Sequence, residues 1–460
     1  MQRTLLLLLV AASYTLVAGA QPWALGILLA IAAAGILVAP RSTLTLPADT
    51  RAVDRALILL LAGMALQIVP LPAAIVDAIS PRANDVAIAL HLAPPSAGVP
   101  VWTTFSIDAA STRLAIGTTA LGVLSFWIAR AVFSAGGSTR LFCRTLTVMA
   151  TLAAGLAVIQ KAATPRLVLF MMEPEARSAN PFGAFVNRNH FAAWMLLAAG
   201  PAAGYFIARL HTHPSQRGFR ESIGHVMSSG IVFTSVALVV IIGTLLLTLS
   251  RSAVAGLAAA ALTGWWLARP RLRVERTSVP ARMAALGAVL LVVVLFVDLD
   301  GWASRLSQRF SAEGAVFSRV SIWRESMAMM RDFWATGTGA GTYSDAMTFY
   351  QQTRLWVGSM QRWAHFNTAH SHYVQVLCEG GLLLAAPAFG AAGSVVVLGH
   401  RAVRADKGEM FWVRTGAFAS LAGLAVQSVW EVALIMPANA VLAGAVAGLL
   451  LHHREGGRTA

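Results

Sequence analysis

Apolar runs of about 20 residues recur along nearly the whole chain, and they restrict the fold more than any other feature. Inside a bilayer no water satisfies backbone N–H and C=O groups, so such runs cross as α-helices. The runs fall at 4–20, 23–39, 55–72, 113–131, 143–161, 190–208, 228–249, 252–268, 282–298, 372–399, 413–431 and 435–452. Only 12% of the 460 residues are charged, whereas a soluble domain averages about 25%. Mean hydropathy is +0.67. The expected fold is an all-α polytopic membrane protein of about twelve transmembrane helices, one integral membrane domain over 1–460. The first run also admits a signal-peptide reading, with Arg3, a leucine stretch and the small residues Ala18, Gly19 and Ala20.

The formal net charge of +15 raises the question of nucleic acid, and the placement of the charge answers it. With the N-terminus in the cytoplasm, every inner loop is positive, from Arg41, Arg51 and Arg55 to the RPRLRVER stretch at 269–276. Outer segments mix acids and bases. This is the positive-inside pattern, so the basic residues read as topology anchors and no nucleic-acid partner is expected. Both termini then lie in the cytoplasm. The two cysteines, Cys143 and Cys378, are too few for a disulfide framework and are expected to be free thiols.

The outer segments are then 73–112, 162–189, the turn at 250–251 and the long loop 299–371. Loop 73–112 offers no evident chemistry. The other three bring Asn187, Asn189, Arg251, Arg319 and His370 to one side of the membrane. Arg251 lies in a very short turn between two apolar runs. A cation at that depth either holds an anionic ligand or snorkels to lipid phosphates. Arg319 falls on an expected amphipathic helix at 315–334, where Val316, Val320, Trp323, Met327, Met330 and Trp334 form one apolar stripe. That stripe predicts a helix lying on the bilayer surface. His370 precedes the tenth run and has the residue type of a general base near neutral pH. His372, two positions on, points to another helix face, so the pair is poorly placed to share a metal. Glu379 lies two turns into the run, as a structural hydrogen-bonding group or a proton partner. Gly337, Gly339 and Gly341 follow no strand and precede no GK[ST] ending, which argues against nucleotide binding. Asp298 and Asp300 form a D-x-D of the type that metal-dependent glycosyltransferases use, although acids at a helix end are common.

Five short patterns occur in order: FGAFVNRNHFA (182–192), LSRS (249–252), RVSIW (319–323), GTGAGTY (337–343) and AHSHYVQVLCEGG (369–381). Together they resemble the O-antigen ligase and polymerase family of bacterial membrane glycosyltransferases, over roughly residues 110–452. The resemblance implies a GT-C-like fold with a large periplasmic loop carrying amphipathic helices. It implies inverting transfer of a glycan from an undecaprenyl-diphosphate-linked donor, at the periplasmic face of the inner membrane. The acceptor would be a glycan, a lipid A core or a protein, the last making the chain a protein O-oligosaccharyltransferase. By the same resemblance His370 is the base, while Arg251 and Arg319 handle the diphosphate. Asn187, Asn189, His372 and Glu379 are further substrate-binding candidates. No cofactor and no metal are expected, because two guanidinium groups can stabilise the leaving diphosphate. Ser371 stands where family members often have Asn. A transporter of lipid-linked sugars is the rival reading. Two points weigh against it: no broken helix is expected, and the polar residues gather on one face rather than along a path.

Overall fold

The computed structural model describes residues 1–39, 50–90, 101–135, 138–174, 179–211, 230–274, 319–353, 356–357, 362–363 and 365–453. The helices are α1 (Gln2–Thr15), α2 (Pro22–Leu37), α3 (Arg51–Ile68), α4 (Ala73–Ile79), α5 (Ala83–Ala89), α6 (Ala109–Ser134), α7 (Ser138–Ala163), α8 (Arg188–His211), α9 (Ile231–Leu247), α10 (Arg251–Val274), α11 (Arg319–Asp332), α12 (Tyr343–Tyr350), α13 (His372–Ala405), α14 (Met410–Gln427) and α15 (Pro437–Leu451). Every expected span except 282–298 overlaps one of these helices. That span, Asp298, Asp300, Val316 and the first part of the 299–371 loop lie outside the described residues. By length and hydropathy, α6, α7, α8 and α13 are each able to cross a membrane. Helices α2, α9 and α15 are apolar but shorter. The described residues thus give a mostly helical membrane protein, while the count of twelve remains an expectation.

The bundle is built by helices that approach closely at small residues. Helix α14 crosses α8 where a Cβ on Gly416 would overlap the Gly200 carbonyl, and α6 crosses α15 where one on Gly444 would overlap that of Gly122. In a lipid environment hydrophobicity does not drive helices together, so close backbone packing has to. Two antiparallel two-residue ribbons accompany the helices. One pairs Leu71 with Thr103 and Pro72 with Trp102; the other pairs Trp356 with Trp363 and Val357 with Arg362.

A second, smaller core covers one end of the bundle. It joins Val76, Val86 and Phe105 to Met329, Phe333 and Met347. The described residues of segment 73–112, without evident chemistry in the sequence, therefore contribute to a cap built with α11 and α12. Helix α11 carries two apolar stripes rather than one. Ile322, Ser326 and Met329 are buried in the cap, followed by Phe333. Of the stripe expected to lie on the bilayer, Val320 is 63%, Met327 44% and Trp334 61% exposed. Trp323 does not belong to that outer face, because its Nε1–H donates to the Ala369 carbonyl at 2.9 Å.

Helix α13 corrects the expectation of unbroken spans. It is interrupted at Gly381, whose φ of 50° and ψ of −150° are not helical. The glycine turn 336–343 fills the interruption. Thr338 N–H donates to Cys378 O and Gly339 N–H to Glu379 O, each at 3.0 Å. In return, Leu382 N–H donates to Trp334 O (2.8 Å) and Leu383 N–H to Ala335 O (2.9 Å). The Gln67 side-chain amide donates to Thr336 O (2.7 Å) and Glu379 O (2.8 Å). Gly337 has φ +70°, and a Cβ there would fall on the Glu379 backbone. Gly337→Ala is therefore expected to cost at least about 1–3 kcal/mol from strain alone. The measurement is the melting temperature in detergent, and a value equal to the parent protein's would refute the packing argument.

Candidate functional site

His370 occupies the join between cap and bundle. The residue before it is held from two sides: Trp323 donates to Ala369 O, and Ala369 N–H donates to Gln375 Oε1 at 3.3 Å. His370 itself has φ 48°, a left-handed conformation rare outside glycine, and such outliers collect at functional sites. Ser371 then caps α13, its hydroxyl accepting from Val374 N–H at 3.5 Å. Ser is a good N-cap residue, as Asn would be.

The His370 ring is half-buried, and its electrostatic neighbours are Glu431, Arg319 and His190. Burial pushes its pKa below the ordinary 6.5; the Glu431 charge opposes this, and those of Arg319 and His190 add to it. The imidazole is thus neutral at neutral pH and able to accept a proton. Arg319 opens α11, and its Nη2 lies 3.4 Å from Trp430 O. This bond ties the cap helix to the turn carrying Glu431.

Two of these residues were not among the sequence candidates. Glu431 is 1% exposed. Its Oε2 accepts from the Asn189 side chain at 2.6 Å, and its Oε1 lies 3.5 Å from His190 Nε2. Burial acts to raise the Glu431 pKa. The hydrogen bond and charge of His190, with His370 and the Val432 N–H, outweigh it and hold the carboxyl down at about 2. The signal in the sequence was an acid and a histidine inside otherwise apolar stretches, which is costly without a partner.

The remaining candidates separate by role. Asn187 Oδ1 accepts from Asn189 N–H at 2.8 Å, which makes it the cap of α8. Asn189 reaches Glu431 and belongs to the cluster. Arg251 is the first residue of α10, whose Gly256 packs against Gly423 and Gln427 of α14. Gln427 donates to Asn189 O at 3.2 Å, so Arg251 lies at the same end of the bundle as Asn189 and Glu431. His372 is surrounded differently from His370: its backbone N–H donates to Ser428 O at 2.9 Å, and it lines a large cavity. The Glu379 carboxylate accepts from Gly341 N–H (2.9 Å), Tyr343 N–H (3.2 Å) and the Gln375 side chain (3.0 Å). These bonds fasten the glycine turn to α13, and Glu379 also lines the same cavity.

The cavity has a volume of about 820 Å³. Asn367, Thr368, His372 and Ser428 line one part of it. Far along α13, Val395 and Val396 line another, and most of the wall is apolar. The lining thus runs along α13 from His372, before the break at Gly381, to Val396, well beyond it.

A comparison with protein families matches residues 236–389 to the family described as O-antigen ligase. A comparison with curated proteins gives no match. The matched segment holds Arg251, Arg319, His370, His372 and Glu379, while Asn187, Asn189, His190 and Glu431 lie outside it.

Proposed function

We propose, taking as premise the O-antigen ligase match over 236–389, that this membrane protein transfers a glycan from an undecaprenyl-diphosphate-linked donor to an acceptor hydroxyl. The observation carrying the reading is a half-buried His370 with Arg319 and Glu431 as electrostatic neighbours, at the end of the bundle where a mostly apolar cavity acquires polar lining from Asn367, Thr368 and His372. The polyprenyl chain would lie along the apolar wall, and the diphosphate at the arginine end. The acceptor oxygen attacks the anomeric carbon as the bond from that carbon to the diphosphate oxygen breaks, inverting the centre. The acceptor proton goes to the His370 imidazole. Negative charge grows on the leaving diphosphate, where Arg319 and Arg251 offer forked donors matched to phosphate oxygens. Asn189, His190 and Glu431 hold the surroundings of His370.

The interrupted helix α13 reopens the transporter reading, since transporters bind substrate and ions at such breaks. There the freed carbonyls serve the ligand. Here the carbonyls of Cys378 and Glu379 and the amides of Leu382 and Leu383 are paired within the protein, which favours the enzyme.

Purified protein is expected to transfer glycan onto defined hydroxyl acceptors, and to continue in the presence of a strong chelator. Loss on chelation with recovery on adding magnesium or manganese would replace the two-arginine account with a metal-dependent one. The site end is proposed to face the periplasm of a bacterial inner membrane, with both termini cytoplasmic. A periplasm-active reporter fused after Gln351 is then expected to be active, and one after Val274 silent. The opposite pattern would put the site in the cytosol and end this reading.

A further inference from the structure

At the end of the bundle away from His370, helices α7, α8 and α9 leave a separate cavity of about 350 Å³. Helix α8 begins beside Asn189 and ends near Arg209, about 30 Å farther on by helical rise. Arg144, Arg209, Tyr205, Thr147, Thr234 and Phe233 line the cavity.

The donors and acceptors here are already sorted. Thr147 spends its hydroxyl hydrogen on Cys143 O (2.7 Å), and Thr234 spends its own on Gly230 O (2.9 Å). Both threonine oxygens keep lone pairs, so they accept. The two guanidinium groups only donate. Arg209 lies over the Tyr205 ring at 5.8 Å and against Gly230, where a Cβ would stand 3.1 Å from its Nη1. The guanidinium is thereby kept in the cleft rather than extended into solvent. On the outer surface, Leu141, Phe233 and Val236 are exposed, and their apolar side chains suit contact with acyl chains. A topology anchor needs charge alone. A cleft pairing two forked cations with two acceptor oxygens beside an apolar face fits a ligand that is anionic, hydroxylated and lipidic.

We propose that this cleft binds the headgroup of an anionic glycerophospholipid. Its phosphate sits on Arg144 and Arg209, its headgroup hydroxyls donate to Thr147 and Thr234, and its acyl chains lie along Phe233 and Val236. The proposal does not depend on the catalytic reading, because no residue is shared.

The test is native mass spectrometry of the full chain released from bilayers of phosphatidylcholine doped with phosphatidylglycerol. Retention of phosphatidylglycerol over phosphatidylcholine is expected. Arg144→Gln, an exposed position that should fold normally, and Arg209→Gln should each weaken retention by about tenfold, the worth of one charged hydrogen bond. Thr234→Val should reduce the preference for phosphatidylglycerol over phosphatidic acid, which lacks headgroup hydroxyls. Equal retention of phosphatidylcholine, or unchanged retention in Arg144→Gln, would overturn the proposal. So would displacement of the lipid by millimolar inorganic phosphate, which would assign the cleft to a free anion.

Discussion

His370→Ala is expected to lower single-turnover glycan transfer by about 10²–10⁴-fold, the usual cost of losing a positioned base, while leaving donor binding nearly unchanged. The imidazole would touch the acceptor, not the diphosphate. Arg251→Ala and Arg319→Ala should behave differently, weakening donor binding together with turnover, because a charged hydrogen bond to phosphate acts in ground and transition states alike. Lysine at either position should restore only part, since it keeps the charge without the fork. His372→Ala should be mild for the proton-transfer step, as His372 is not among the groups whose charges act on His370 and Glu431. If His370→Ala transfers at the parent rate and His372→Ala is inactive, the base has been assigned to the wrong histidine. If both arginine variants bind donor normally, the phosphate roles fail.

The second large effect concerns Glu431. Glu431→Ala removes the carboxylate that accepts from Asn189 and faces His190 in a buried setting, and leaving a buried donor unsatisfied costs about 1–3 kcal/mol. The milder Glu431→Gln separates stability from chemistry through the pH profile. In the parent protein, protonation of His370 switches off the base, so activity falls as pH drops below the ordinary histidine range. The Glu431 charge favours the protonated ring. Glu431→Gln should lower the His370 pKa further and move the acid limb of the rate profile to lower pH. Arg319→Gln should move it the other way, since that cation disfavours protonation. An acid limb unmoved in both variants would show that it does not report His370. Stability has its own signature. The Glu431 pKa is depressed in the folded protein, so its contribution is present above the unfolded value near 4.5 and is lost as pH falls toward about 2.

The spans were legible because hydropathy over 20 residues is a local quantity. The approximate meeting place of Asn189, Arg319 and His370 was legible too, through loop parity and charge bias. Glu431 was not, because its meaning depends on a partner 242 positions away in sequence at Asn189. Nothing local distinguishes an acid that holds a histidine from one that ends a helix. Helix α11 was half-read for another reason. Met327 and Met329 belong to different faces, and a sequence with apolar residues on both gives no rule for which face meets lipid and which meets the cap. Trp323 fitted the stripe by spacing, yet its indole N–H found a carbonyl near the histidine. The break in α13 left one trace, the adjacent Gly380 and Gly381, and a glycine pair in an apolar run more often marks close helix packing.

Because the amides of Leu382 and Leu383 are satisfied by carbonyls at Trp334 and Ala335, the stretch from Trp334 to Leu383 behaves as a single unit in recombination. A chimera that joins one parent before residue 340 to another after it asks two independently varying backbones to interlock without side chains between them. A Cβ at Gly337 would fall on the Glu379 backbone, and one at Gly381 would lie 2.6 Å from the Trp334 carbonyl, so both glycines must arrive from the same parent with their facing strand. Crossovers between α10 and α11, or beyond Leu383, cut none of these bonds. Transplanting 319–383 whole keeps the interlock intact, whereas shuffling within it would yield chains unable to seal their own helix.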